Sequence, residues 1–258
     1  MEMEPLAYKD NCTRETLRRH VRTMYELYEE LFKNRGWTAI AARRTGLNED
    51  TLDLAVRYII AFHDAGKVFY QDRISRGKGA PLHEAYSVLL FQSYIRNSDS
   101  ALKRAGENLL MAVEWSILTH HLSMRNPRDM VQLINTLKSH GLSYVPQAAS
   151  LDSELKGKLE DAIEDVVGRV DLPSMEYYLD DIIDIYKNLS GSLYTYYSVA
   201  VRLSKILIVT DNMAASMNRG KQCHDREGRS QFKVYILDVP GPEYDHARGE
   251  IQSWLGLF

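Results

Sequence analysis

Apolar residues recur at three- and four-residue spacings along most of the chain, which is the pattern of amphipathic helices. The first such stretch predicts a helix that Thr13 caps and that ends near Phe32. The second begins at Asn48, a residue suited to a helix N-terminus, and Gly66 is predicted to end it in a left-handed conformation. Further helices are predicted over residues 81–96, 101–120, 152–168, 174–188 and 192–218.

Two segments depart from the helical pattern. Residues 71–80 hold two glycines and several basic residues without an apolar period, so we predict a mobile basic loop there. Residues 232–239 are the one good strand candidate, because branched apolar and aromatic side chains dominate them. The sequence therefore predicts an all-α helical bundle over residues 1–220, with residues 221–258 as a small C-terminal strand or hairpin tail packed on it.

The composition is that of an ordinary globular protein, with 45% hydrophobic and 26% charged residues. No apolar stretch approaches the roughly 20 residues of a membrane span, and the N-terminus lacks the order of a signal peptide. We therefore expect a cytoplasmic protein with no membrane partner. Cys12 and Cys223 are too few for a disulfide scaffold or a four-thiolate zinc site. Acidic residues concentrate in residues 152–184, which leaves a basic excess elsewhere.

The second predicted helix ends in a His-Asp pair, His63-Asp64. This places a nitrogen ligand and a carboxylate side by side at the edge of the core, where they could coordinate metal ions. The alternative interpretation is that the two residues only cap a helix end. Other candidate ligands elsewhere in the chain must decide between the two.

Five more candidate ligands follow a clear order along the helices. A single inward histidine is usually a hydrogen-bonded core residue, but an aspartate inside an apolar helix needs compensation for burial, which a metal ion supplies. The candidates are His20, His83, His120, His121 and Asp211. His140, His224 and His246 fall in polar segments and are interpreted as surface residues.

This order, His…His-Asp…His…His-His…Asp, resembles that of the HD superfamily of metal-dependent phosphohydrolases, in its dinuclear branch. Closer motifs are His63-Asp64-x-x-Lys67, His83-Glu84-x-x-Ser87, and Asp211 followed by Ala215-Ser216. They resemble those of the HD nuclease of type I CRISPR interference, the nuclease partner of the CRISPR-associated helicase. The resemblance covers residues 7–220 and implies an HD-domain helical bundle.

The resemblance also implies a role for each matching residue. His20, His63, Asp64 and Asp211 would hold one metal ion, and His83, His120 and His121 the other, with Asp64 bridging both. Such a histidine-rich set favours two manganese, nickel, cobalt or iron ions, and suits magnesium less well. Asp64 and Lys67 are the predicted catalytic residues, and Lys67 would contact the scissile phosphate. Alternatively, Lys67 only stabilises the helix end through its interaction with the helix dipole. Ser87 and Ser216 are weaker candidates for supporting or substrate contacts; alternatively, both only pack in the core.

The resemblance implies a stand-alone nuclease that cleaves single-stranded DNA, including DNA exposed in an R-loop, beside a separate helicase and a target-recognition complex. No ATP-binding motif of the form G-x-x-x-x-G-K-[ST] occurs in the chain. Basic residues near the ligand motifs are candidate phosphate contacts or, equally, solvated loop charges. They are Arg73, Arg76, Lys78, Arg125 and Arg128. The alternatives are a phosphohydrolase for nucleotides or cyclic nucleotides and a non-catalytic helical adaptor.

Overall fold

The computed structural model describes residues 4–121, 146, 148–178, 180–182, 184–185 and 193–219. This part of the chain is mainly helical, with two small antiparallel two-stranded sheets. The all-α prediction is therefore confirmed. The predicted strand 232–239 and the C-terminal tail lie outside the described residues.

The elements follow in chain order. The strands are β1 (Leu6–Lys9), β2 (Arg14–Thr16), β3 (Ala148–Ser150) and β4 (Glu176–Tyr178). The helices are α1 (Leu17–Leu31), α2 (Trp37–Thr45), α3 (Glu49–Phe62), α4 (Gln71–Ser75), α5 (His83–Asn97), α6 (Ala101–Arg104), α7 (Glu107–Thr119), α8 (Ser153–Val167) and α9 (Leu193–Arg219). β1 pairs with β2, and β3 pairs with β4.

The N-terminus of α1 differs from its prediction. Thr16, not Thr13, caps the helix, because its side chain accepts a hydrogen bond from the Arg19 N–H. Residues 14–16 are unavailable to the helix since they pair with β1. Strands of three or four residues carry too few positions for an alternating pattern, so β1 and β2 were not predicted from the sequence.

Other predicted boundaries also change. The predicted helix over 101–120 is two helices, separated at Gly106, whose φ of 109° a residue with a side chain rarely adopts. The predicted basic loop 71–80 is wrong in its first half, which forms α4. α5 begins at His83 and not at Pro81, after Leu82 in a left-handed conformation with φ 63°. Within 174–188, residues 176–178 form β4, and α2 was not predicted.

The core lies between α1, α3, α5, α7 and α9. Aromatic rings of α3 and α5 interlock there: the Phe62 ring lies 5.5 Å from that of Phe91 and 5.6 Å from that of Tyr94. α9 packs on α1, α3 and α7. This packing brings the ends of α3 and α7, the starts of α1 and α5 and the second half of α9 to the same place. Among the described residues, we find no helix with the length and hydropathy of a membrane span.

Candidate metal centre

The seven histidines and aspartates predicted as ligands lie together inside the bundle. They form two groups, and in each group one nitrogen or oxygen atom per residue lies within 4.8 Å of the others. The first group is His20, His63 and Asp211; the second is Asp64, His83, His120 and His121. Both are mostly buried, and each has a donor set that could hold a metal ion.

Asp64 lies between the two groups, and its two carboxylate oxygens face opposite ways. Oδ2 lies 3.4 Å from His63 Nε2 and 3.8 Å from His20 Nε2, in the first group. Oδ1 lies 3.0 Å from His83 Nε2 and 3.7 Å from His120 Nε2, in the second. One carboxylate is thus within reach of both groups through different oxygens, as a bridging ligand requires.

Main-chain carbonyl groups orient three of the histidines. The Nδ1 atom of each ring lies at hydrogen-bond distance from the carbonyl oxygen three residues earlier: His63 from Ile60 at 2.9 Å, His83 from Ala80 at 2.7 Å, and His120 from Ile117 at 2.6 Å. A carbonyl oxygen only accepts, so Nδ1 carries a proton and Nε2 is the ring nitrogen left to act as a ligand. In all three residues Nε2 is also the atom that faces Asp64.

His20 is oriented differently, by a carboxylate. Its ring is fully buried near the start of α1, with Nδ1 at 2.7 Å from Glu15 Oε1 and Nε2 at 3.1 Å from Asp211 Oδ1. Glu15 was not identified from the sequence. It lies on β2, outside any helical period, and glutamate next to basic residues is ordinary at a protein surface, so no signal singled it out.

The carboxyl groups of the centre are held ionised. Burial alone raises the pKa of Asp64, but the Lys67 charge and the surrounding histidines outweigh burial, and the pKa lies well below its usual range. Burial likewise opposes ionisation of Glu15, yet hydrogen bonding to His20 and the Arg219 charge lower its pKa to about 2. The pKa of Asp211 is lowered as well, because its hydrogen bond to His20 outweighs burial.

The histidines divide into two kinds. Burial lowers the pKa of His63, and burial together with the neighbouring imidazoles lowers that of His121 well below its ordinary value. Burial also lowers the pKa of His20, but its hydrogen bonds to Asp211 and Glu15 outweigh burial and raise the pKa to about 9. The same holds at His120, whose pKa is raised by Asp64. A proton on His20 must therefore leave before its Nε2 can act as a ligand.

Unpartnered buried atoms at the centre fit metal binding. His63 Nε2 and His120 Nε2 are buried without a hydrogen-bond partner, which is costly in a native interior. His121 Nε2 lies 3.2 Å from His83 Nε2. Two imidazole nitrogens on one tetrahedral ion at about 2.1 Å would be roughly 3.4 Å apart. The residues present therefore fit a transition-metal site, and the atoms that lack partners are those that would bind it.

Lys67 and Gly66 follow Asp64 in a 3₁₀ helix, Ala65–Tyr70. Lys67 Nζ donates to Asp64 Oδ2 at 2.6 Å, and its side chain keeps 13% of its surface exposed. Gly66 has no positive φ, so the predicted left-handed helix end is wrong. Its role is close packing, since a Cβ there would lie 2.1 Å from the His83 carbonyl oxygen.

The weaker substrate candidates divide by exposure. Ser87 is fully buried and its Oγ accepts a hydrogen bond from the Gly66 N–H, so it supports the turn after Asp64 from inside the protein. Arg76 and Lys78 are exposed, whereas the Arg73 Nε donates to the Gly79 carbonyl group. Ser216 is half-buried on α9. Arg125 and Arg128, with His140, His224 and His246, lie outside the described residues.

Comparison with known proteins identifies no family for this chain. No family model matches this chain, and no curated protein is significantly similar to it. A functional interpretation therefore depends on the chemistry of the centre: a histidine-rich double site with a shared carboxylate and an adjacent, partly exposed lysine.

Proposed function

We propose that the protein is a metal-dependent phosphodiesterase that cleaves single-stranded DNA. The observation that supports this most is the position of Asp64, whose Oδ1 and Oδ2 face two separate ligand groups. Pairs of metal ions about 3.5–4 Å apart are typical of enzymes that hydrolyse phosphate esters by in-line displacement. The proposed ions are manganese, nickel, cobalt or iron, because five of the seven candidate ligands are imidazoles.

When bound, two such ions supply an activated water nucleophile and stabilise the charge on the leaving oxygen. The protein side chains supply the orientation. The carbonyl groups of Ile60, Ala80 and Ile117 hold three imidazoles with Nε2 toward the centre before any ion arrives. Less reorganisation is then needed on binding, and the ligand geometry is set by helix ends within the core.

Lys67 is the proposed contact to the scissile phosphate. Its ammonium group is held at Asp64 Oδ2 and remains partly exposed, so it lies at the boundary between the ligands and solvent. A fixed positive charge at that position favours the charge that develops on a phosphoryl oxygen in the transition state. Metal binding at Asp64 would neutralise the carboxylate and leave the ammonium group available to the phosphate.

A polymer substrate is favoured over a nucleotide by the resemblance of the ligand motifs to those of CRISPR-associated HD nucleases and by the chain that follows Asp64. Arg76 and Lys78 are exposed shortly after the 3₁₀ helix that carries Lys67, where cations can follow a phosphate backbone. The resemblance extends the proposal to its partners: a separate helicase and a target-recognition complex that exposes the strand in an R-loop.

Incubation of circular single-stranded DNA with the purified protein and Mn²⁺ or Ni²⁺ tests the proposal. We expect the wild-type protein to nick and degrade the circle and Asp64→Ala to lose this activity together with bound metal. Asp165→Ala is the matched control, because Asp165 pairs with Arg18 at the surface and should leave activity unchanged. Full activity in Asp64→Ala, or turnover of nucleotides or cyclic nucleotides alone, contradicts the proposed nuclease.

A further inference from the structure

Glu15 is a fully buried carboxylate that three side chains hold in place. Its Oε1 lies 2.7 Å from His20 Nδ1 and accepts from Asn218 Nδ2 at 2.9 Å. Its Oε2 accepts from Arg219 Nε at 2.8 Å. A buried glutamate with both oxygens engaged has a fixed position, so whatever it contacts is fixed with it.

His20 needs such a partner because of where it lies. The other three oriented histidines stand at helix ends. His63 and His120 follow helix C-termini, where carbonyl oxygens have no partner within the helix and can accept from Nδ1, and His83 is the first residue of α5, so that its partner Ala80 lies before the helix. His20 lies in the second turn of α1, where the preceding carbonyl oxygens are bonded within the helix. Glu15 therefore accepts a hydrogen bond from Nδ1 of His20, as main-chain carbonyl oxygens do from Nδ1 of His63, His83 and His120.

One helix fixes both sides of the His20 ring. α9 carries Asp211, which lies at Nε2, and seven residues later Asn218, which holds Glu15. Residues seven apart are on the same face of an α-helix. The end of α9 is itself anchored on the N-terminal hairpin, where Thr13 Oγ1 donates to the Arg219 carbonyl group at 3.0 Å.

We propose that Glu15 is a positioning residue for metal binding by His20, His63 and Asp211. It holds Nδ1 of His20 so that Nε2 faces the centre, and it acts on this group and not on His83, His120 and His121. Histidine ligands commonly depend on a carboxylate in this way, and loss of the carboxylate costs about 10- to 100-fold in metal affinity. The inference rests on the metal binding of the proposed function but not on its substrate.

Glu15→Gln is the decisive variant because it keeps the size of the side chain. Gln has one acceptor oxygen, whereas His20 and Arg219 present donors to two different oxygens of Glu15. We expect calorimetric titration of the metal-free protein with Mn²⁺ to show two ions in the wild type. In Glu15→Gln, one of the two should bind about 10- to 100-fold more weakly and the other with unchanged affinity.

Asp53→Asn is the matched control. Asp53 also accepts from two donors through different oxygens, Tyr28 Oη at 2.7 Å and Lys33 Nζ at 3.2 Å, and it contacts no candidate ligand. We expect it to lower the melting temperature and to keep both metal affinities. Should Glu15→Gln lower the affinity of both ions equally, or of neither, the positioning role is refuted.

A wild-type protein that binds no metal also overturns the inference. If the wild type binds two ions but cleaves no DNA, the proposed nuclease fails and the role of Glu15 is still decided by the titration. Should Glu15→Gln fold poorly, Asn218→Ala gives the second measurement, since it removes one support of Oε1 while His20 and Glu15 remain. It should weaken the same single ion, and unchanged binding would contradict the inference.

Discussion

Substituting Gly66 by alanine should move Asp64 away from His83 in the metal centre. The added Cβ would lie 2.1 Å from the carbonyl oxygen of His83 and 2.8 Å from the Ser87 nitrogen, where ordinary contacts begin at 3.4 Å. These two atoms belong to the main chain of α5 and the third clashing atom is Tyr86 Cβ, so no rotamer change can relieve the clash. The 3₁₀ helix after Asp64 must then separate from α5 by about 1 Å or more.

The expected cost is near the upper end of overpacking, about 3 kcal/mol. For a chain of this size that corresponds to a fall in melting temperature of roughly 6–12 °C. Asp64 and His83 would separate with their helices, and a displacement of 1 Å in a catalytic site can cost about 100-fold in rate. Melting curves, metal titration and the DNA-nicking assay measure the three effects.

Two other glycines supply the controls for this substitution. A Cβ at Gly79 or at Gly157 meets nothing within 4 Å, and neither has a positive φ. Gly157 lies inside α8, where alanine should stabilise the helix by up to about 1 kcal/mol. Wild-type melting and metal affinity in Gly66→Ala would refute the close packing that we describe, whatever the function of the protein.

Three further predictions concern charge. Lys67→Ala should bind both ions with wild-type affinity and nick DNA about 10²-fold or more slowly, because removing one preorganised electrostatic contact typically costs that much. A loss of metal affinity as large as the loss of nicking rate would contradict this prediction. Metal affinity should rise by up to about tenfold per pH unit from pH 7 to 9 in titrations at fixed pH, since His20, with its pKa raised to about 9, must lose a proton. Burial raises the pKa of Glu114 from 4.5 to about 7, so the protonated form favours folding and stability is lost as pH rises from about 4.5 to 7. Glu114→Gln should melt above the wild type at pH 8 by an amount equivalent to about 3 kcal/mol at most, and at a similar temperature at pH 4.5.

Residue chemistry, more than periodicity, made the candidate site predictable. Burying histidine and aspartate in apolar helices costs free energy unless a partner or a metal ion compensates. These residues therefore stand out as candidate ligands without knowledge of the fold. Periodicity located α1, because this helix buries one face. The short strands and α2 escaped because a few residues do not establish a period.

The residues that support the ligands could not be predicted from residue type. Glu15 and Ser87 act through partners distant in the chain, and a glutamate or serine alone does not indicate burial. For Gly66 the sequence predicts the commonest role of a glycine after a helix, a left-handed end. Its actual role depends on the distance to α5, which is a property of the tertiary structure.

One local rule does connect the sequence to the geometry of the centre. His63 and His120 each follow the last residue of a helix, and each lies three residues after an isoleucine whose carbonyl oxygen has no partner in the helix. The ring satisfies that carbonyl through Nδ1, so Nε2 must point away from the helix end. A histidine immediately beyond an apolar helix is therefore already oriented as an Nε2 ligand by its own helix. When α3 and α7 end side by side, two such ligands face the same space, and Asp64, the residue after the first, lies between them.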